Sequence, residues 1–154
     1  RCSLSRIRLK ALPYPGFPTD MQPQMCVLLC LANGVSTITD SVWDNRFRYT
    51  GELARMGANI TVEGKTATVV GGKLRAAAVC DMVGHTGVFE AAVKAVDLRA
   101  GAAMVIAGLA AEGETTIDDV YHIERGYERM VEKLNAVGAD IRRVDVRESK
   151  EKAV

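Results

Sequence analysis

Two segments of the chain, residues 20–33 and 98–112, are apolar on nearly every side when arranged as a helix. A helix that is apolar all round is buried, whereas a surface helix keeps a polar face. We therefore expect two buried helices, and two solvent-facing helices over 47–56 and 126–137, which carry charged residues. A glycine follows each of the four segments where a helix would end in the left-handed conformation, at Gly34, Gly57, Gly113 and Gly138.

β-rich segments follow the two apolar helices. They are "STITDSV" at 36–42 and "TTIDDVY" at 115–121. A further stretch, "TVEGKTATVV" at 61–70, predicts two short strands around a Glu-Gly-Lys turn. Because strands and helices alternate along the chain, the pattern predicts an α/β fold.

The order of these features is repeated. When the two halves are aligned, four pairs coincide: Asp20 with Asp97, Ile38 with Ile117, Asp40 with Asp119, and Arg46 with Arg125. The repeat predicts two βαβαββ-like modules, with sheets outside and helices within. We place the first module with its proline-rich lead-in at 1–79 and the second module with a tail at 94–154. The segment between them, "CDMVGHTGVFEAAV" at 80–93, has no counterpart and is expected to be a surface insert.

Composition narrows the classes of function. The formal net charge of +1 gives no electrostatic reason to expect nucleic acid or an anionic membrane as partner. No apolar run is long enough to span a bilayer, and the first residues have no signal-peptide pattern. The four cysteines and two histidines show no metal-ligand spacing, and Cys26 and Cys30 fall on an apolar helix as buried thiols. We expect a reduced, cytoplasmic protein without a metal.

The stretch "PYPGFPTDMQ" holds three prolines and a glycine just before Asp20. Proline fixes φ and lacks an N–H donor, so this stretch is neither helix interior nor central strand. One interpretation is a linker in which Thr19 or Asp20 caps the following helix. The other is a rigid lead-in that places the Asp20 carboxylate at a site, and these residues alone leave both open.

The repeat could bring Asp20, Asp97, Arg46 and Arg125 to one edge of the fold. Arg99 lies in the first turn of a helix, where a cation is unfavourable unless it has another partner. That partner could be an anionic ligand, since guanidinium groups suit phosphate and carboxylate. It could also be a neighbouring side chain in a surface network.

The motifs "PYPGFPTDMQ", "DNRF", "VDLRAG" and "YHIERGYERMVEKLNAVGADI" together resemble those of bacterial UDP-N-acetylglucosamine 1-carboxyvinyltransferases, which are enolpyruvyl transferases. The resemblance covers about residues 7–145 except 80–93. It implies an inside-out α/β barrel built from repeated modules, of which this chain resembles the C-terminal third or so. It also implies UDP-N-acetylglucosamine and phosphoenolpyruvate as substrates in peptidoglycan synthesis, with no cofactor.

The resemblance further implies roles for individual residues. Asp20 matches the general base beside the sugar 3′-hydroxyl, and Val42 matches a contact of the UDP-sugar. Asp97 matches an aspartate beside the reacting centre. The arginines that bind or close over phosphoenolpyruvate are matched by Arg46, Arg99 and Arg125.

The family's proton donor lies in its other domain, so this chain alone is expected to be inactive and to need the missing remainder of the enzyme or a partner chain. The alternatives are a non-catalytic or split half that assembles with another chain, or the related 3-phosphoshikimate 1-carboxyvinyltransferase. RNA 3′-phosphate cyclase uses similar modules, but it should show a more basic face.

Overall fold

The computed structural model describes residues 4–75 and 91–144. The first part has the order strand, helix, strand, helix, strand, strand. Its elements are β1 (Arg8–Ala11), a 3₁₀ turn (Thr19–Met21), α1 (Gln22–Cys30), β2 (Val35–Asp40), α2 (Thr50–Arg55), β3 (Asn59–Glu63) and β4 (Thr66–Val70). This confirms the βαβαββ order expected for the first module.

The second part repeats the beginning of that order. Its elements are β5 (Ala91–Lys94), α3 (Leu98–Ala110), β6 (Thr115–Asp118), α4 (Tyr121–Glu124) and α5 (Met130–Ala136). Within the predicted insert 80–93, residues 80–90 lie outside the described residues. The expected surface insert is wrong for residues 91–93, because they belong to β5, pair with β6 and place Val93 in the core.

The repeat also predicts a strand after the last helix of the second module, and this prediction is wrong for the described residues. Residues 139–144, which align with β3, form no strand. In the first module β3 pairs antiparallel with β4 across a tight turn. The chain from 139 to 144 has no such hairpin partner in the described residues, and a lone strand has no ladder of hydrogen bonds to hold it.

The strand pairing supports the alignment of the two halves. In the first sheet the strand order is β1-β2-β4-β3, and β1 runs parallel to β2. In the second sheet β5 runs parallel to β6. Leu9 pairs with Ile38 in the first sheet, and Val93 pairs with Ile117 in the second, so the two aligned isoleucines occupy matching positions.

The two apolar helices pack against each other and form the centre of the core. α1 buries the Cys26 and Cys30 thiols, which are free, and α3 buries Met104 together with several alanines. Small side chains let two helices approach closely, which explains why α3 is alanine-rich. As expected, both helices contribute to the core, but they are not buried all round, because Leu28 on α1 and Ile106 and Leu109 on α3 are exposed.

All four predicted terminal glycines have positive φ, between 83° and 106° at Gly34, Gly57, Gly113 and Gly138. In the described residues, no helix is long and apolar enough to cross a membrane.

Candidate active site

The proline-rich lead-in is a tight turn that returns the chain to the end of β1. The Gly16 N–H donates to the Pro13 carbonyl at 2.9 Å, and the Leu12 N–H donates to the Phe17 carbonyl at 3.1 Å. A Cβ at Gly16 would lie 2.5 Å from the Leu12 Cβ, so the turn has no room for a side chain there. The 3₁₀ turn follows directly and carries Asp20, which is how this stretch places the carboxylate.

Neither Thr19 nor Asp20 caps α1, so that interpretation of the lead-in is wrong. The helix begins after Met21 without any side-chain cap. The Thr19 hydroxyl instead donates to Asp40 Oδ2 at 2.6 Å, and Asp20 faces two arginines. The 3₁₀ turn intervenes between these residues and the helix, and so directs both side chains elsewhere.

Asp40 joins the lead-in to the loop after β2. It is buried, and its Oδ1 accepts hydrogen bonds from the backbone N–H groups of Val42 at 2.9 Å and Trp43 at 3.1 Å. Its other oxygen holds Thr19, so the segment carrying Asp20 and the segment carrying Val42 are locked together. Sequence reasoning used Asp40 only to align the repeat, although an aspartate at the end of a strand is a known turn signal.

Asp20 and Val42 consequently line one cavity of about 320 Å³. The rest of its wall comes from the lead-in and from the loop after β2: Leu12, Pro13, Tyr14, Pro18, Thr19 and Trp43. The wall is therefore largely apolar, with the Asp20 carboxylate as its charged group.

Two guanidinium groups hold the Asp20 carboxylate. Arg46 Nη2 lies 3.2 Å from Oδ1, and Arg99 Nη2 lies 3.0 Å from Oδ2. Arg46 also donates to the Thr19 carbonyl at 3.4 Å. The carboxylate side chain is 55% exposed, whereas the Arg46 side chain is only 18% exposed. Residues that are far apart in sequence thus form one charged cluster at the surface.

Asp97 and Arg99 are organised by the start of α3. Asp97 is the N-cap of that helix, and its Oδ1 accepts from the backbone N–H groups of Arg99 and Ala100 at 2.8 Å each. The Arg99 side chain leaves the helix and meets Asp20. Hydrogen bonding to Asp20, and secondly to Tyr127, raises the pKa of Arg99. The cation in the first helical turn therefore has a partner within the chain.

A second cavity of about 240 Å³ shares Trp43 with the first. Its wall includes Arg46 and Asp97, and sequence reasoning missed the other residues in it: Trp43, Asp44, Asn45 and Arg48. The Arg46 Nε is buried without a hydrogen-bond partner among the described residues. The Asp44 carboxylate forms its ion pair with Lys65, at 2.8 Å, rather than with an arginine of this wall.

Arg125 lies apart from this cluster. It is exposed at the end of α4, lines neither cavity, and forms no salt bridge within residues 4–75 and 91–144. The neighbouring Gly126 nevertheless packs on the start of α3, since a Cβ there would lie 2.7 Å from the Leu98 side chain. The segment carrying Arg125 is thus adjacent to the site although its guanidinium is not part of the cluster.

Comparison with known proteins agrees with this architecture. The family model of EPSP synthase (3-phosphoshikimate 1-carboxyvinyltransferase) matches residues 1–134. The solved enolpyruvyl transferase NikO from Streptomyces tendae is 31% identical with a TM-score of 0.76, over 91% of this chain and 29% of that one. EPSP synthase from Acinetobacter baumannii is 22% identical with a TM-score of 0.54, covering 82% of this chain and 27% of that chain, and so supports the fold alone.

Curated relatives are more similar in sequence. UDP-N-acetylglucosamine 1-carboxyvinyltransferase 3 of Caldanaerobacter subterraneus is 56% identical over 92% of this chain and 31% of its own length. UDP-N-acetylglucosamine 1-carboxyvinyltransferase 1 of Clostridium perfringens is 52% identical over 90% of this chain and 30% of its own. The chain therefore spans about three tenths of the length of these relatives. The matched family, the shared fold and the repeated modules lead to one conclusion: the chain belongs to the EPSP synthase family of enolpyruvyl transferases.

Proposed function

We propose that this chain is part of an enolpyruvyl transferase that moves the enolpyruvyl group of phosphoenolpyruvate to the 3′-hydroxyl of UDP-N-acetylglucosamine and releases phosphate. This acceptor is supported by the names of relatives that are 52–56% identical to this chain in sequence. The observation that carries the proposal is the Asp20 carboxylate, held between two arginines at the edge of the cavity that Val42 lines. The reaction would be the first committed step of peptidoglycan synthesis and would take place in the cytoplasm, so it would contribute to cell shape and cell division.

In this proposal Asp20 removes the proton of the sugar hydroxyl as its oxygen adds to the enol carbon of phosphoenolpyruvate, while the methylene carbon takes a proton from an acid in the remainder of the enzyme. Loss of a proton from that methyl carbon, with departure of phosphate, then restores the enol double bond. Carboxylate oxygens that already accept from two guanidinium groups are not free to accept the hydroxyl proton. Phosphoenolpyruvate carries a phosphate and a carboxylate, which compete with Asp20 for Arg46 and Arg99. Binding of that substrate would therefore release the Asp20 oxygens at the moment when a base is needed.

The other predicted site residues have roles that support the action of Asp20. Asp97 holds the start of α3 and so sets where Arg99 leaves the helix. Val42 offers an apolar surface to the UDP-sugar in the cavity that it shares with Asp20. Arg125 lies outside the charged cluster, and we propose that it closes over phosphoenolpyruvate from the segment that packs on the start of α3.

The main alternative acceptor is shikimate 3-phosphate. The family model carries the name of that enzyme, but the solved EPSP synthases are only 21–22% identical to this chain, against 46–56% for the UDP-N-acetylglucosamine enzymes. The second alternative is a non-catalytic half that pairs with another chain. Apolar side chains are exposed on α1 and α3, which favours a further domain or partner chain that covers them. Both a longer enzyme and a split enzyme would provide that cover.

A chimera tests the proposal. This chain replaces the matching 31% of the Caldanaerobacter relative, and phosphate release from phosphoenolpyruvate is measured with each acceptor. We expect turnover with UDP-N-acetylglucosamine, loss of roughly 10²–10⁴-fold in Asp20→Asn, and little change in Glu112→Gln, whose carboxylate pairs with Lys73 away from both cavities. A folded chimera that uses shikimate 3-phosphate instead, or that stays active without Asp20, would refute the assignment.

A further inference from the structure

Asp40 carries a buried carboxylate on a part of the fold that is held from both sides. It is the last residue of β2, which lies between β1 and β4 in the first sheet. It pairs with Ala11 of β1, and its backbone N–H donates to the Lys65 carbonyl at 2.9 Å. The residue is 1% exposed. Burying an ionised carboxylate is costly unless hydrogen bonds satisfy it, so its partners indicate what the buried charge holds in place.

These partners come from two segments that line the same cavity. From the loop after β2, the backbone N–H groups of Val42 and Trp43 donate to Asp40 Oδ1 at 2.9 and 3.1 Å. From the lead-in, the Thr19 hydroxyl donates to Oδ2 at 2.6 Å. Hydrogen bonds to an ionised carboxylate are shorter and stronger than those between neutral groups. One side chain on a strand therefore sets the distance between two walls of the cavity.

The aligned aspartate of the second module has no such environment. Asp119 is exposed, and its backbone has a φ of 58° just after β6. The two modules thus share the sequence position of this aspartate but not its burial. A βαβ unit of this kind does not require a buried carboxylate there, and the first module has one beside the segment that carries Asp20.

We infer that Asp40 is a positioning residue, which through the Thr19 hydroxyl holds the Asp20 carboxylate in a fixed place relative to the loop after β2. Thr19 directly precedes Asp20 in the 3₁₀ turn, so a shift of one moves the other. Arg46, at the far end of the loop, donates to the Thr19 carbonyl at 3.4 Å and to Asp20 at 3.2 Å. The consequence for catalysis rests on the proposed function, because it assumes that Asp20 takes the proton of the acceptor.

Thr19→Val tests the link, because it keeps the size of the side chain and removes the hydroxyl. Thr19→Ser keeps the hydroxyl and is the rescue variant. Thr61→Val is the matched control, since Thr61 is exposed on the edge strand β3. Asp40→Asn is a second probe that preserves the packing: its amide oxygen still accepts from the loop, but the hydrogen bonds lose the charge.

Two kinds of readout separate the position of the loop from catalysis. On the chain of 154 residues, NMR gives the rate of hydrogen exchange at the Trp43 backbone N–H. The fluorescence emission of the Trp43 indole reports on the same loop, because the sequence has no other tryptophan. In the chimera described above, kcat and KM are measured with UDP-N-acetylglucosamine as acceptor.

We expect Asp40→Asn to speed exchange at the Trp43 N–H by roughly 3–10-fold, because a charge-assisted hydrogen bond is about twice as strong as a neutral one. Thr19→Val should shift the Trp43 emission and lower kcat by roughly 10–100-fold with KM within about twofold. The reason is that a displacement of about one ångström misplaces the base while the substrates still bind. Thr19→Ser and Thr61→Val should stay within about twofold of the wild type in every readout.

Unchanged Trp43 exchange and emission in both Asp40→Asn and Thr19→Val would overturn the inference. It would also be overturned if Thr19→Val kept its kcat, or if Thr19→Ser lost as much kcat as Thr19→Val, since the hydroxyl would then not place the base. If the wild-type chimera does not use UDP-N-acetylglucosamine, the proposed function fails, while the Trp43 signals still decide whether Asp40 holds the loop and the lead-in together.

Discussion

Replacing Asp20 by asparagine should tighten the binding of phosphate to this chain. The change keeps the size of the side chain and removes the negative charge that now occupies Arg46 and Arg99. An incoming phosphate must displace that carboxylate in the wild type. In the variant both guanidinium groups are free to accept the anion from the start.

The size of the effect follows from the two ion pairs. Their N–O distances are 3.2 and 3.0 Å, but the Asp20 side chain is 55% exposed, so solvent screens both of them. Exposed ion pairs contribute about 0.2–1 kcal/mol each, and we take about 1 kcal/mol for the two together. That value corresponds to a dissociation constant for phosphate lower by about fivefold.

The assay is a titration with inorganic phosphate, followed by NMR or calorimetry at low and high salt. The gain in affinity should shrink as salt rises, because the Debye length falls from about 10 Å at 0.1 M to about 3 Å at 1 M. Glu112→Gln is the control, since it makes the same change in net charge at an exposed ion pair with Lys73. If Asp20→Asn binds phosphate no more tightly than that control, the two arginines are not the anion site. The same Asp20 substitution should lower turnover in the chimera, so its effects on binding and on catalysis have opposite signs.

Three further outcomes follow from the packing. Gly71→Ala should lower the free energy of unfolding by at least about 1–3 kcal/mol in a denaturant titration, because a Cβ there would lie 1.5 Å from the Ala32 carbonyl oxygen; wild-type stability would contradict this packing. Tyr49→Phe should be close to neutral at pH 7, because the Tyr49 hydroxyl is buried without a partner among the described residues. Burial raises the pKa of Tyr49, so the wild type should lose stability as pH rises above about 10, and the variant should lose less; equal slopes in melts from pH 8 to 11 would refute this. Ile106 and Leu109 on α3 are 43% and 45% exposed, so the isolated chain should self-associate in gel filtration and Ile106→Lys should reduce this; a monodisperse monomer would argue against an uncovered apolar face.

Local sequence patterns were sufficient to predict most of the helices and strands of this fold. Segments that are apolar on nearly every side indicated that α1 and α3 belong to the core, and the terminal glycines indicated where these helices end. The hairpin of β3 and β4 followed from its turn residues. These features depend on neighbours within a few residues, so a single sequence contains the information. The internal repeat extended the reasoning to topology, because Ile38 and Ile117 proved to hold matching places in two sheets.

The geometry of the charged cluster could not be obtained in the same way. Alignment paired Asp20 with Asp97 and Arg46 with Arg125 as if they were equivalent, yet Asp20 accepts from two guanidinium groups and Asp97 caps a helix. A short 3₁₀ turn before α1, with no equivalent before α3, causes this difference.

The elements, the repeat and the residues able to carry charge-based chemistry could therefore be predicted from local sequence patterns. Which of those residues come into contact depends on the packing of the whole fold. Arg99 forms a hydrogen bond with Asp20, which is 79 positions away in the sequence, and Tyr127 forms one with Gln24, which is 103 positions away. The physical reason is that such contacts depend on how α1, α3 and the link after α4 pack together, and a shift of one ångström in that packing makes or breaks a hydrogen bond.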